Sequence, residues 1–284
     1  MSEQVAKSFQ QYVREYEPSE AANDALWEEF ARRTREVPFL DRHRTWVEEH
    51  RWGFGDRAFH YMWYLLLRDD VLRRADPALL EIGVYKGQVV SLWSLIASEL
   101  GARARIHAVS PLSVTGRQLR WPLHQFALRL SRRYRADAES GNLSYEPLDY
   151  GKAVREIFER FGQDFSAVDV LRGFSEDPAI KQRVADASFD VVYVDGGHRY
   201  EQATHDIEYY GGRVKPGGYM VLDDASVFQP GARFWKGHAS VSRAAEELDA
   251  REWRNVLNVG HNRIYQRLGD SRGGDAAAPG TAAR

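Results

Sequence analysis

Leu79-Leu80-Glu81-Ile82-Gly83-Val84-Tyr85-Lys86-Gly87 closes an apolar run and opens a helical pattern that extends from Gln88 to Leu100. The run Ala78–Val84 has the length of a buried strand, and Gly101 stops the helix that follows. Glycines at 83 and 87 allow a tight turn and a close approach of backbone to ligand. The segment is not a G-x-G-x-x-G dinucleotide turn, because Tyr85 and Gln88 occupy its second and third glycine positions. A plain strand-to-helix turn that needs two glycines is the alternative reading.

Outward from this turn the alternation repeats. Strands are expected at Arg105–Val109, Ala167–Leu171, Phe189–Val194 and Gly218–Leu222, and helices at Tyr150–Phe161, Asp177–Ala187 and Glu201–Val214. Trp253–Val259 and Asn262–Arg267 read as a closing pair of strands around Gly260. Such alternation predicts a mostly parallel α/β sheet with helices on both faces, which binds ligands at the carboxyl ends of its strands. Residues 1–75 read as a helical N-terminal extension, with helical spacing over Glu20–Arg35 and an aromatic-rich segment over Arg57–Arg68. The α/β domain is placed at 76–268, followed by a Gly/Ala-rich tail, 269–284, that is expected to be disordered.

The 284 residues carry 39 basic and 41 acidic side chains, so no global charge favours nucleic acid or an anionic membrane. Leu112–Ala136 is the local exception, with six arginines (117, 120, 129, 132, 133 and 135) and no acid. It reads as a solvated helix face whose arginines pair with carboxylates elsewhere, against the alternative of a phosphate-binding surface. No cysteine is present, which excludes disulfides and thiolate metal sites. The sequence has no apolar run near the ~18 residues of a membrane span. The opening MSEQVAKSFQ lacks the apolar core of a secretion signal, so a cytoplasmic location is expected.

Asp195 ends one expected strand, and Asp223 and Asp224 end the next. Neighbouring strands lie about 4.8 Å apart, so carboxylates ending two adjacent strands can converge above the sheet, and the resemblance given below implies that these two strands are adjacent. Three carboxylates without cysteine suit a hard divalent cation such as Mg²⁺, and without one they would repel each other. A turn at Asp195-Gly196-Gly197, a cap at Asp223-Asp224 and a surface His198 are the plainer readings.

The turn E-x-G-x-x-x-G at Glu81–Gly87 resembles motif I of class I S-adenosylmethionine-dependent methyltransferases. Asp195-Gly196-Gly197-His198-Arg199-Tyr200-Glu201, Lys215-Pro216-Gly217-Gly218 with Asp223-Asp224, and Gly173-Phe174-Ser175-Glu176-Asp177-Pro178 extend the resemblance. It covers about half the chain. Together these segments resemble the metal-dependent sugar and natural-product O-methyltransferases, which include macrolide sugar methyltransferases. The resemblance implies a Rossmann-like class I fold and cofactor contacts from Glu81, Gly83, Tyr85, Gly87 and Asp195. It also implies metal ligands at Asp195, Asp223 and Asp224, and His198 as general base. Ser110 stands where the family carries an acid for the ribose hydroxyls. It is the expected, weaker ribose contact.

The expected partner is a small-molecule hydroxyl acceptor, a sugar or glycoside, with self-association left open. Ser226–His238 is a candidate lid and Arg51–Gly55 a candidate ligand-contacting segment, with a packed loop and a helix connector as the respective alternatives. The rival functions are a catechol-type phenol O-methyltransferase, a nicotinamide-dependent oxidoreductase and a non-catalytic binding protein. The first usually carries Asp-Asn in place of Asp223-Asp224, and the second lacks its glycine fingerprint here.

Overall fold

The structure is a computed structural model that describes residues 7–113, 116–117, 119, 121–139, 143–144 and 148–269. Seven strands form one sheet: β1 (Ala78–Ile82), β2 (Arg105–Val109), β3 (Val168–Leu171), β4 (Phe189–Val194), β5 (Val214–Leu222), β6 (Trp253–Val259) and β7 (Asn262–Arg267). Their order is β3-β2-β1-β4-β5-β7-β6, with β7 antiparallel to both neighbours and the other pairings parallel. This is the mostly parallel sheet that the alternation predicts, in the class I Rossmann-like form that the resemblance implies.

The register places the functional edge. Ile82 pairs with both Val109 and Val194, and Val194 pairs with Leu222. The hydrogen-bond ladder continues one residue further, from Gly83 N–H to Val109 O, Asp195 N–H to Ile82 O and Asp223 N–H to Val194 O. Gly83, Ser110, Asp195 and Asp223 therefore follow directly on four adjacent strands at the carboxyl edge. The antiparallel β6–β7 hairpin returns its turn to the same edge, where Ala225 N–H donates to His261 O.

Helices cover both faces. One face is packed by the extension, α1 (Phe9–Glu15), α2 (Glu20–Glu36), α3 (Pro38–His50) and α4 (Arg57–Asp69), with α5 (Gln88–Glu99). The other carries short α9 (Pro178–Arg183), α10 (Tyr200–Gly211) and α11 (Ala239–Glu246). Helix α4 starts where Asp56 accepts the N–H of Ala58, then buries nearly all its side chains. Trp63 sits at its centre, with ring centroids 4.9 Å from Trp93 and 5.2 Å from Tyr193. Full burial of such apolar side chains stabilises by about 1.5–3 kcal/mol each. Phe9 meets Tyr219 of β5 edge-on at 5.6 Å, and the Tyr219 hydroxyl donates to Asp70 at 2.7 Å. The extension thus shares one apolar core with the sheet.

Several boundaries differ from expectation. The helix expected at Asp177–Ala187 stops at Arg183, where the Val184 carbonyl is taken by Arg213 Nε at 2.9 Å. The helix expected to reach Val214 ends at Gly211, because consecutive glycines at 211 and 212 weaken it and Val214 pairs with Phe189. Strand β5 begins at Val214 rather than Gly218, with the pairing shift absorbed between Phe189 and Val191. Helix α8 (Tyr150–Arg160) is capped by Asp149, which accepts from Lys152 N–H. In the arginine-rich insertion, α6 (Leu123–Leu130) and α7 (Arg132–Glu139) follow each other. Arg135 donates to the carbonyls of Leu128 and Arg129, closing the end of α6 instead of pairing with a carboxylate. Arg120, the Arg117 side chain and the tail from 270 on lie outside the described residues. Among the described residues no helix is long and apolar enough to cross a membrane.

Candidate active site

Three carboxylates and three imidazoles gather where β4, β5 and the β6–β7 turn meet. Asp223 Oδ1 lies 3.0 Å from His261 Nε2. Asp224 Oδ2 lies 3.3 Å from His198 Nε2 and 3.6 Å from His238 Nε2. Asp224 is held at φ 53°, a left-handed conformation uncommon for a non-glycine residue. Asp195 shares a hydrogen bond with Asp223 and so joins the group from β4.

The charges settle unequally. Burial, then the charges of Asp223 and Asp224, pushes the Asp195 carboxyl well above its ordinary range. Burial and the Asp223 charge also raise Asp224. Burial acts most strongly, to raise Asp223, but the His261 charge together with hydrogen bonds from His261, Asp195 and Tyr193 holds Asp223 low. His261 shows the reverse balance: burial acts to lower it, yet Asp223 carries it up to about 9. His198 is lowered by burial, with Asp224 opposing. The opposed shifts favour a shared proton on Asp195 over Asp223, and burial favours the neutral form of His198.

This donor set fits a cation. Asp223, Asp224 and His261 bring ligand atoms within 4.8 Å of one another, as do His198, Asp224 and His238. Asp195 belongs to neither trio and reaches them through Asp223. Carboxylate oxygens suit Mg²⁺, and the nearby imidazoles also suit Mn²⁺ or Zn²⁺. His238 and His261 were not foreseen from the sequence. Neither sits in a strand-end motif; one precedes α11 and the other follows Gly260 in the hairpin turn.

Two cavities open beside the cluster. A cavity of about 240 Å³ is lined by Gly83, Ser110, Leu112, Gly173 and Phe174 at the ends of β1, β2 and β3. A larger one, about 940 Å³, is lined by Glu81, Tyr193, Asp223, Asp224, His261 and aromatic side chains. Phe54, Tyr85, Tyr150, Asp195 and His198 line both. The turn between them is tight: Gly83 has φ 93°, and a β-carbon there would sit 1.9 Å from the Asp195 carbonyl oxygen. Tyr85 at φ 47° and Gly87 at φ 86° complete it.

Ser110 is buried, and its Oγ accepts from Leu112 N–H at 3.2 Å. Glu81 is fully buried, with its pKa pushed well up by burial, and accepts from Val90 N–H at 3.1 Å. It faces the larger cavity rather than the smaller. Of the candidate segments, Phe54 lines both cavities, and Phe234, Trp235 and His238 line the larger one. Ser226 and Lys236 pair by backbone, so the Ser226–His238 loop is closed at its base.

A family model described as a methyltransferase domain matches residues 80–225. The chain belongs to this methyltransferase family. The match begins in β1 and ends just past Asp224, so it spans the motif I turn and all three carboxylates. No curated protein matches the sequence. Two solved structures share the fold. The O-methyltransferase NovP is 17% identical, covers 75% of this chain and 81% of its own, and has a TM-score of 0.50. A Staphylococcus aureus protein described as a caffeoyl-CoA O-methyltransferase is 13% identical, with coverage of 83% and 94% and a TM-score of 0.52. Family and fold together make this methyltransferase S-adenosylmethionine-dependent and set aside the nicotinamide-dependent reading.

Proposed function

We propose that the chain is a divalent-metal-dependent O-methyltransferase acting on a hydroxyl of a sugar or glycosylated natural product. The observation that carries this reading is the junction of the two cavities at Asp195 and His198, directly beside Asp223 and Asp224. The smaller cavity takes the methyl donor, against the Gly83–Gly87 turn and Ser110. The larger takes the acceptor. A divalent cation, when held by Asp223 and Asp224 with Asp195 beside them, lowers the pKa of a coordinated hydroxyl.

The chain's own residues do the rest. His198, neutral and on both cavities, accepts the acceptor's hydroxyl proton as the oxygen–methyl bond forms and the sulfur–methyl bond breaks. S-adenosylhomocysteine is the leaving product. The Asp195 hydrogen bond to Asp223 and the His261 contact fix the carboxylate orientation before substrate arrives. Pre-set geometry of this kind replaces reorganisation during the reaction.

Calorimetric titration with S-adenosylmethionine, with and without Mg²⁺, followed by mass-spectrometric screening of glycosides, tests this function. Cofactor binding and a metal-stimulated gain of one methyl group on a glycoside are expected. Absence of cofactor binding, or transfer that is indifferent to chelator, would overturn it.

A further inference from the structure

Large apolar side chains left in water are ordinarily scattered singly over a protein surface. Among the described residues, five of the twelve that are so exposed lie within one stretch, Leu119–Leu130. Trp121, Leu123, Phe126 and Leu130 are 74%, 60%, 62% and 69% exposed. Leu123, Phe126 and Leu130 stand at i, i+3 and i+7 of α6, so they share one side of the helix. No residue of α6 is buried, so this side is not spent on the core.

The α6–α7 hairpin holds that side in place. The Tyr134 hydroxyl of α7 accepts from Leu119 N–H at 2.8 Å and meets His124 Nδ1 at 2.9 Å. Arg135 ties α7 to the Leu128 and Arg129 carbonyls of α6. His124 lines the larger cavity together with Ala138 of α7. At about 100° per residue it lies roughly 160° around the helix from Phe126. Leu123, Phe126 and Leu130 line neither cavity, so the apolar side is turned away from them.

Charge selects what this side meets. Arg129 follows Phe126 by three residues, and Arg132 and Arg133 open α7. All three are exposed, and among the described residues no carboxylate pairs with them. No acid occurs from Leu112 to Ala136; Asp137 and Glu139 come only at the end of α7. A second copy docked on α6 about a two-fold axis would bring these arginines against their own copies. A nucleic acid would meet the arginines but offer nothing to Phe126 and Leu130. An anionic bilayer offers both, with phosphates at its surface and acyl chains just beneath. Trp121 suits the boundary between the two.

We propose that α6, with Trp121 before it and Arg132 and Arg133 after it, is a docking face for an anionic lipid bilayer. Its apolar side enters the headgroup region, and the arginines pair with lipid phosphates. The larger cavity, lined by His124 on the other side of α6, then lies about one helix diameter, roughly 10–12 Å, from the lipid. This goes beyond the function proposed above and does not rest on it.

The test is co-sedimentation of the full chain with vesicles of phosphatidylcholine, made with or without about 30% phosphatidylglycerol. Binding to the anionic vesicles is expected to be roughly tenfold stronger or more, and to weaken as salt rises from about 0.1 M to 0.5 M. Phe126→Ser/Leu130→Ser and Arg132→Gln/Arg133→Gln are each expected to weaken it about tenfold or more. All four side chains are exposed, so an unchanged urea midpoint checks that both variants are folded. Absence of binding to the anionic vesicles, or binding that survives Phe126→Ser/Leu130→Ser, overturns the proposal. A dimer that Phe126→Ser/Leu130→Ser dissolves, without vesicle binding, would give the face to a second copy instead. Single-stranded RNA bound through Arg132 and Arg133, again without vesicle binding, would give the arginines to a nucleic acid.

Discussion

The imidazole of His238 lies flat on that of His198, with ring centroids 4.2 Å apart, planes inclined by 17° and both Nε2 atoms turned toward Asp224 Oδ2. Only His198 also lines the smaller cavity, to which the proposed function assigns the methyl donor. The two rings are therefore not equivalent. Replacing the proposed base, His198→Asn, is expected to lower kcat by about 10²- to 10⁴-fold, with a much smaller change in cofactor affinity. His238→Asn should cost less than about tenfold, since a neighbour and not the proposed base is lost. Steady-state kinetics with titration of cofactor and metal checks both. Equal losses would mean that the pair works as one unit.

Asp223 is held between a cation and an acid, with His261 on one side and Asp195 on the other. Its side chain and that of His261 are 14% and 6% exposed. Asp223→Asn removes one partner of a buried ion pair, which costs about 3 kcal/mol even before metal binding is considered. It should also abolish the Mg²⁺ heat in calorimetry. The urea midpoint of Asp223→Asn/His261→Gln is expected to recover much of the loss, because no unpaired charge remains. A double variant no more stable than the single would show that the pair is not what holds this edge together.

The Gly83 backbone approaches Asp195 more closely than any other residue type allows. Gly83→Ala therefore has to push β1 and β4 apart at their ends, and a loss of about 2–4 kcal/mol is expected. Cofactor affinity should fall by more than tenfold, because the turn and Asp195 move together. Gly101→Ala is the control: it also has positive φ, at 62°, but nothing lies within 4 Å of the added carbon. It should cost only about 1–2 kcal/mol and leave cofactor binding alone.

How much of this was legible depended on whether a residue sat in a periodic element or a motif. Strands β2, β4, β6 and β7 begin and end where alternation and β-branched content place them. Asp195, Asp223 and Asp224 could be read as neighbours because the strand order implied by the family resemblance sets their strands side by side, and parallel register then aligns the strand ends. His238 and His261 could not, because loops bring them to the site from segments without period. The early start of β5 was hidden because Lys215-Pro216-Gly217-Gly218 has turn composition, and only pairing with β4 extends it as a strand. Arg44 and Gln88, whose side chains both donate to the Phe54 carbonyl, read as ordinary helical positions until the extension is packed on the sheet.

A chain of neutral hydrogen bonds runs through the core between α3, α4 and α5, and its direction can be assigned. The Ser91 hydroxyl donates to the Gln88 carbonyl, so it accepts from His43 Nε2–H at 3.0 Å. His43 Nδ1 must then accept from His60 Nε2–H at 2.9 Å, which leaves buried His60 Nδ1 without a partner. Neither ring has room for a second proton. Burial and the Arg44 charge lower His43 to about 3, and burial, with the charges of His43 and Arg44, lowers His60 well below its ordinary value. Both shifts are downward for a base, so the stability they contribute is fully present above the unfolded value of about 6.5 and is lost as pH falls below it. At pH ~5 the unfolded chain gains about 2 kcal/mol per histidine relative to the native state. Urea midpoints at pH ~7.5 and ~5 should therefore separate more for the wild type than for His43→Gln/His60→Gln, whose amides do not titrate in this range. Parallel pH slopes would show that the pair takes up a proton in the folded chain. In that case the hydrogen-bond direction assigned to Ser91 would have to reverse.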